Sequence, residues 1–231
     1  MKVEIWSDIV CPFCYIGKRK FENALNRFDN KEQVEIIWHS FQLDPDVIPV
    51  QGQSVDQYLA DRKGVSLKEG KEMNEYMSSI AKEVGLEYNF DKAIINNTMN
   101  AHRLLHLAKK VGVQNDVKEK LFAAYYTDGK DVGDTETLVQ IGESGGLNAD
   151  EIRELLQSNE YIKEVRIDQF RGEQLGVQGV PFFVFNSKYA VSGAQSAEVF
   201  SNVLEKVWEE ENPLVEITAA AGFCTADGIC N

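Results

Sequence analysis

The sequence predicts an α/β protein in which a small sheet domain is divided by a large all-helical insertion. Three observations carry this. A strand, helix, strand pattern occupies the chain from Lys2 to His39. From Ser54 to about Gly176 the apolar residues recur only at helical spacing. Strand signals return at Phe182, as a hairpin followed by one helix. The sheet-forming halves are therefore placed at 1–53 and 177–210, the insertion at 54–176, and a tail at 211–231.

The first strand is read from Val3 and Ile5 alternating with Lys2 and Glu4. A helix begins at Pro12, because proline suits the first helical position, where its missing N–H would have had no intrahelical partner. Phe21, Ala24, Leu25 and Phe28 give this helix one apolar face, and Asp29-Asn30 ends it. Val34 to His39 reads as the second strand, and Phe41 to Gly52, with Pro45, Pro49 and Gly52, as a loop. Within the insertion, Ser54 with Gln57, Ser66 with Glu69 and Asn148 with Glu151 have the spacing of N-cap and N3 residues, marking three helix starts. The second of these helices is expected to bury Met73, Met77, Ile80, Ala81 and Val84 before stopping at Gly85. Further stripes are Ala101, Leu104, Leu105, Ala108; Val117, Leu121, Ala124; Leu138, Ile141; and Ile152, Leu155, Leu156. Phe182 to Phe185 and Tyr189 to Ser192 flank the turn Asn186-Ser187-Lys188. Ser196 then caps a helix with Val199, Phe200, Val203, Leu204 and Val207 on its apolar face.

The chemistry is concentrated where the first strand meets the first helix, at Cys11-Pro12-Phe13-Cys14. At the cap position Cys11 meets free backbone N–H groups and the positive end of the helix dipole, which favour a thiolate. Reactive cysteines so placed have pKa values lowered from about 8.5 to roughly 3.5 to 7.5, and Cys11 is expected among them as the exposed nucleophile. One turn further on, Cys14 is expected to be shielded, with its sulfur beside that of Cys11, so that the pair can close and reopen a disulfide. A zinc site would need two more ligands at metal spacing. The remaining cysteines, Cys224 and Cys230, have five residues between them and no histidine lies near either pair in sequence, so a redox pair is the better reading and no metal is assigned.

The formal net charge of −13 disfavours nucleic acid and anionic membranes as partners, since both call for a basic face. With 43% hydrophobic and 26% charged residues the composition is that of an ordinary globular protein, and no apolar run approaches the roughly 20 residues that span a bilayer. The strand starting at Lys2 or Val3 leaves no room for a leader peptide, so a cytoplasmic location is expected. In that reducing compartment paired cysteines point to catalysis, redox sensing or metal binding rather than to a stapled scaffold.

Four stretches, Asp8 to Gly17, Asn97 to Leu104, Gly176 to Phe183 and Ser192 to Gln195, resemble those of FrnE-like proteins in the DsbA family of the thioredoxin superfamily. The resemblance covers nearly the whole chain. It implies a thioredoxin-like fold with a large all-helical (DsbA-like) insertion, and a protein disulfide oxidoreductase or isomerase acting on protein thiols and disulfides. The catalytic residues it implies are Cys11, Cys14 and Pro181. In the family the proline at the position of Pro181 is cis and packs beside the redox sulfurs; a cis bond costs little only before proline. It would leave the Val180 backbone free to pair with an extended substrate lying across Cys11, with Pro12 and Phe13 completing the substrate surface. Strongly oxidising relatives carry a histidine between the cysteines. Pro12-Phe13 lacks it, so a potential toward the reducing or isomerising end is expected. No cofactor is implied beyond glutathione, a small-molecule thiol, as reductant or oxidant.

Some relatives carry a second C-terminal cysteine pair, which makes Cys224 and Cys230 candidates for a second redox pair in relay with the first. The alternative is a local disulfide or two idle thiols. His102 and His106, four residues apart, could share a metal but lack the intervening glutamate of zinc proteases, and are assigned to helix packing or a substrate-domain contact. Gly193-Ala194-Gln195 could offer N–H groups to a carboxylate, though it reads more simply as the start of a helix, and Glu69, Glu72 and Glu75 read as a solvated face. Two other functions share the fold: a glutathione-dependent isomerase or transferase of the 2-hydroxychromene-2-carboxylate isomerase or kappa type, and a redox-sensing or chaperone-like polypeptide-binding module. The first of these generally lacks the second cysteine, so Cys14 argues against it.

Overall fold

The computed structural model describes residues 1–213. The sheet half opens with β1 (Lys2–Ser7), α1 (Pro12–Leu25) and β2 (Glu35–Ser40). Seven helices follow: α2 (Val55–Lys63), α3 (Leu67–Glu83), α4 (Met99–Val111), α5 (Gln114–Tyr126), α6 (Thr135–Ser144), α7 (Ala149–Gln157) and α8 (Ile162–Gln174). The chain then returns to the sheet with β3 (Phe182–Phe185), β4 (Tyr189–Ser192) and α9 (Ala197–Glu211). The strand order is β2-β1-β3-β4. β1 runs parallel to β2, with Ile5 opposite Trp38, and antiparallel to β3, with Ile5 opposite Phe183. This is the predicted α/β architecture with a helical insertion.

One sheet face is a conventional apolar core. Val3 and Ile5 of β1 with Phe183 and Phe185 of β3 pack against Phe21 and Ala24 of α1 and Phe200 and Leu204 of α9. The other face is polar at its centre. Glu4 is buried there with its carboxylate 2.9 Å from His39 Nε2, and His39 Nδ1 is 2.7 Å from Asp168 of α8. The Trp6 ring stacks on His39 at 4.4 Å and its indole N–H donates to the Asp168 carbonyl at 2.8 Å. Burial works against ionisation of Glu4, but His39 and Lys2 hold its carboxyl below the usual range.

All three expected N-caps form. Ser54, Ser66 and Asn148 accept from backbone N–H groups, and Ser66 with Glu69 makes a complete capping box. Ser196 caps α9 as expected. Several details differ from the sequence reading. α1 stops at Leu25 instead of near Asp29, with Asn26 as its cap. The buried line of α3 is Gly70, Asn74, Met77 and Ala81, so Met73 is exposed; α2 packs so closely that a side chain at Gly70 would lie 2.6 Å from the Asp56 carbonyl oxygen. Val199 is likewise exposed. α8 was not legible, because no side chain caps it, it begins at Tyr161 in the left-handed region (φ 63°), and it buries only Val165, Asp168 and Gly172.

Gly172 lets α8 close on Trp6: a Cβ there would fall 2.9 Å from Trp6 Cδ1 and 3.0 Å from Nε1. Gly172→Ala should therefore cost about 1–3 kcal/mol through overpacking, despite its better helix propensity. Ser66→Ala should cost about 1 kcal/mol. Thermal unfolding of the two variants beside wild type checks both, and a Gly172→Ala melting point at or above wild type would contradict this packing.

Candidate functional site

β1 ends at Ser7, at the carboxyl end of a central strand, and the turn through Asp8, Ile9 and Val10 leads to Cys11 as N-cap of α1, with extended backbone (φ −92°, ψ 112°). Pro12 takes the first helical position, as its fixed φ favours. The Cys11 N–H donates to the Asp8 carbonyl at 3.4 Å, and the Cys14 N–H donates to the Cys11 carbonyl at 3.0 Å. Tyr88, from the segment between α3 and α4, donates its hydroxyl hydrogen to the Pro12 carbonyl at 2.7 Å.

The distant segment before β3 completes the turn. Val180-Pro181 is a cis peptide, and the Cys11 thiol donates to the Val180 carbonyl oxygen at 3.3 Å. Pro181 is buried against Gly17 of α1, where a Cβ would lie 2.9 Å from Pro181 Cγ and 3.4 Å from Ala194 Cβ. The Gly193 N–H closes the loop onto the Pro181 carbonyl at 2.8 Å, and Lys20 Nζ donates to the Ala194 carbonyl at 3.2 Å. Cys11, Cys14, Val180 and Pro181 are thus brought together, with Pro12 half-buried and Phe13 exposed at the mouth.

Two expectations for Cys11 are corrected. It is 3% exposed, enclosed much as Cys14 is at 0%. Its thiol is pushed well up, not down: the adjacent Cys14 side chain and burial outweigh the Cys14 backbone N–H that favours the thiolate. The sulfur also donates to a carbonyl oxygen, a contact that only the protonated form can make.

Beneath the pair lies a polar group of which the sequence reading took no account. Asp8 is wholly buried. Its carboxylate accepts from the Ile9 N–H at 2.8 Å and the Leu43 N–H at 2.8 Å, and contacts His102 Nε2 at 3.2 Å. Burial opposes its ionisation, yet these contacts hold it below the ordinary aspartate range; burial likewise pushes His102 down. His106 turns instead to Ser40 Oγ at 3.2 Å and Asp168 at 3.3 Å, so the two histidines serve different partners. Lys118 of α5 is also fully buried. Its signal was present in the sequence, since it stands one turn before Phe122, on the side of α5 that carries Leu121 and Tyr125 inward. Glu69 is bound in its capping box, while Glu72 and Glu75 pair with Lys68 and Lys71 on the exposed face. Cys224 and Cys230 lie outside the described residues.

This arrangement can exchange thiols with a disulfide: two adjacent sulfurs, one at a helix mouth, face a proline loop. A family model described as a DSBA-like thioredoxin domain matches residues 2–205. The structure of a probable DsbA oxidoreductase from Streptomyces coelicolor is similar over 100% of this chain and 98% of its own, with 39% identity and a TM-score of 0.85. The uncharacterized protein YwbO of Bacillus subtilis (strain 168) is 25% identical over 87% of this chain and 94% of its own length. The cytosolic disulfide reductase DsbM of Pseudomonas aeruginosa, solved with GSH, shares the fold at 14% identity and a TM-score of 0.65, over 90% of this chain and 100% of its own. With nearly its whole length matched, the chain belongs to the family of DSBA-like thioredoxin domains.

Proposed function

We propose that this protein is a thiol-disulfide oxidoreductase with isomerase capacity, of the FrnE-like type, exchanging disulfides with protein substrates in the cytoplasm. The observation that carries this reading is the contact between the Cys11 thiol and the carbonyl before cis-Pro181, with Cys14 one helical turn behind. A substrate disulfide is attacked by Cys11 as thiolate, forming a mixed disulfide and releasing one substrate thiolate. Cys14 then attacks Cys11 Sγ, closes the Cys11–Cys14 bond and releases the second. The reverse sequence oxidises a dithiol. Among the described residues the Val180 N–H makes no backbone hydrogen bond, which leaves it available to an extended substrate strand, and Phe13, 43% exposed, offers an apolar contact beside it.

The direction of the chemistry follows from the sulfur environment. A thiol kept protonated by its neighbour and by burial leaves the reduced form without a stabilised thiolate, which makes the Cys11–Cys14 disulfide a weak electron acceptor and supports a reading toward the reducing or isomerising end. Glutathione is the proposed small-molecule partner, with Lys20 bringing an ammonium group to the Ala194 loop beside Pro181 as a counter-charge for its carboxylates. Relay to Cys224 and Cys230 is proposed as well, as an intramolecular exchange with the first pair.

Cys11→Ser should lower insulin disulfide reduction by at least about 100-fold, and Cys14→Ser should accumulate mixed disulfides visible by intact mass. The potential of the Cys11–Cys14 couple should fall between about −180 and −270 mV; a value near −120 mV would overturn the assigned direction. The double variant Cys224→Ser/Cys230→Ser should slow turnover several-fold with the Cys11–Cys14 couple intact, and unchanged turnover would end the relay.

A further inference from the structure

Tyr88 belongs to the insertion, on the segment between α3 and α4, yet its hydroxyl ends on the cysteine turn. It donates to the Pro12 carbonyl at 2.7 Å. Among the described residues this is the only side-chain hydrogen bond that reaches the backbone of residues 11–14. The residue is buried, and its pKa is pushed up by burial and then by the nearby Cys11 and Cys14, so the phenol keeps its proton and remains a donor. The exchange chemistry above gives it no part.

The hydroxyl is supported from behind on both sides. Thr127 Oγ1 donates to the Glu87 carbonyl at 2.8 Å, the Asn89 N–H donates to the Tyr126 carbonyl at 2.7 Å, and Asn89 Nδ2 donates to the Thr127 carbonyl at 2.8 Å. Residues 87 and 89 are thereby pinned to the C-terminal end of α5, with Tyr88 between them. Gly129 lets the same segment come close: a Cβ there would fall 2.8 Å from the Lys92 carbonyl oxygen. The ring is fixed as well, stacked on Tyr126 at 4.2 Å and edge-on to Phe90 at 5.7 Å. Enclosure alone does not dictate the contact with Pro12, because the neighbouring Tyr126 hydroxyl is buried with no hydrogen-bond partner among the described residues.

We infer that Tyr88 is a positioning residue for thiol exchange: it holds the Pro12 carbonyl, and with it the backbone joining Cys11 to Cys14, so that the two sulfurs stay within bonding reach of each other. The inference rests on Cys11 and Cys14 being the redox pair. Two steps use that reach. When the dithiol reduces glutathione disulfide, the Cys11–Cys14 bond forms, the glutathione S–S bond breaks, and two glutathione thiols leave with the two electrons and two protons. When a mixed disulfide is resolved, the Cys14 thiolate attacks Cys11 Sγ, the Cys11–substrate bond breaks, and the substrate sulfur departs with the electron pair. In both, Cys14 acts at an effective concentration set by how little the backbone between the sulfurs moves. Tying Pro12 removes from the dithiol a freedom that the closed disulfide lacks in any case, so the tie favours closure.

Full-length protein in a Cys224→Ser/Cys230→Ser background, equilibrated in glutathione buffers, acid-quenched and alkylated, gives the equilibrium constant for Cys11–Cys14 closure by intact mass. Tyr88→Phe keeps the ring and its stacking and removes only the hydroxyl. It should lower the closure constant about fivefold, which raises the potential of the couple by about 20 mV at 29.6 mV per tenfold. Asn89→Ala keeps the hydroxyl and loosens its support, and should lower the constant about two- to threefold, with no further effect in the Tyr88→Phe background. A hydroxyl that served stability alone would lower the melting temperature and leave the closure constant where it was. A Tyr88→Phe constant equal to that of the parent therefore overturns the inference, as does an Asn89→Ala effect that persists undiminished when the hydroxyl is absent. Failure of the parent protein to form a Cys11–Cys14 disulfide in any glutathione buffer overturns instead the redox pair on which the inference rests.

Discussion

The structure depends on one contact between remote parts of the chain: the sulfur at the mouth of α1 resting on the Val180 carbonyl, 169 residues away. Most of what surrounds the pair can be understood as keeping those partners in register. β3 is fixed against β1, residue by residue from Trp6 opposite Phe182, so the loop immediately before β3 must arrive beside the turn immediately after β1. Gly17 has no side chain because Pro181 occupies that space. A strand register and a missing methyl group together place the proline at the sulfurs. Neither depends on the insertion.

The insertion contributes environment. Tyr15, Cys11 and Cys14 share one apolar cluster with Leu104, Leu121, Phe122 and Tyr126. The redox helix is therefore buried on its far side by helices that are not part of the sheet half. Joining the two parts took polar pairing as well as apolar area. Asp168 on α8 receives the Ser40 N–H at 2.9 Å and contacts His39, and both connections are buried. His39 with carboxylates on both nitrogens fixes α8 over the sheet in a way that a smooth apolar face would not.

How much of this was legible depends on whether the signal was local. The Cys11-to-Cys14 turn, the hairpin around Asn186-Ser187, and the caps at Ser54, Ser66, Asn148 and Ser196 are set by neighbouring residues, and each formed where the sequence placed it. The enclosure of Cys11 was not legible, because it is created by Val180, Tyr88 and the insertion, residues far off in the chain. The burial of Glu4 was not legible for the same reason: alternation shows that two faces differ, and cannot show that both are covered. α8 escaped notice because beside Val165 its inward residues are an aspartate and a glycine, set against His39 and Trp6, and one apolar residue makes no period.

The wide chain separation between the cysteine turn and its proline loop has a consequence for biosynthesis. At ordinary elongation speeds of about 5–20 residues per second, roughly ten to thirty seconds pass on the ribosome between synthesis of Cys11 and synthesis of Val180. Through that interval the nascent N-terminal segment carries two cysteines whose third wall has not yet been made. They are open to any passing oxidant or stray thiol, and only synthesis of the segment before β3 brings them under cover.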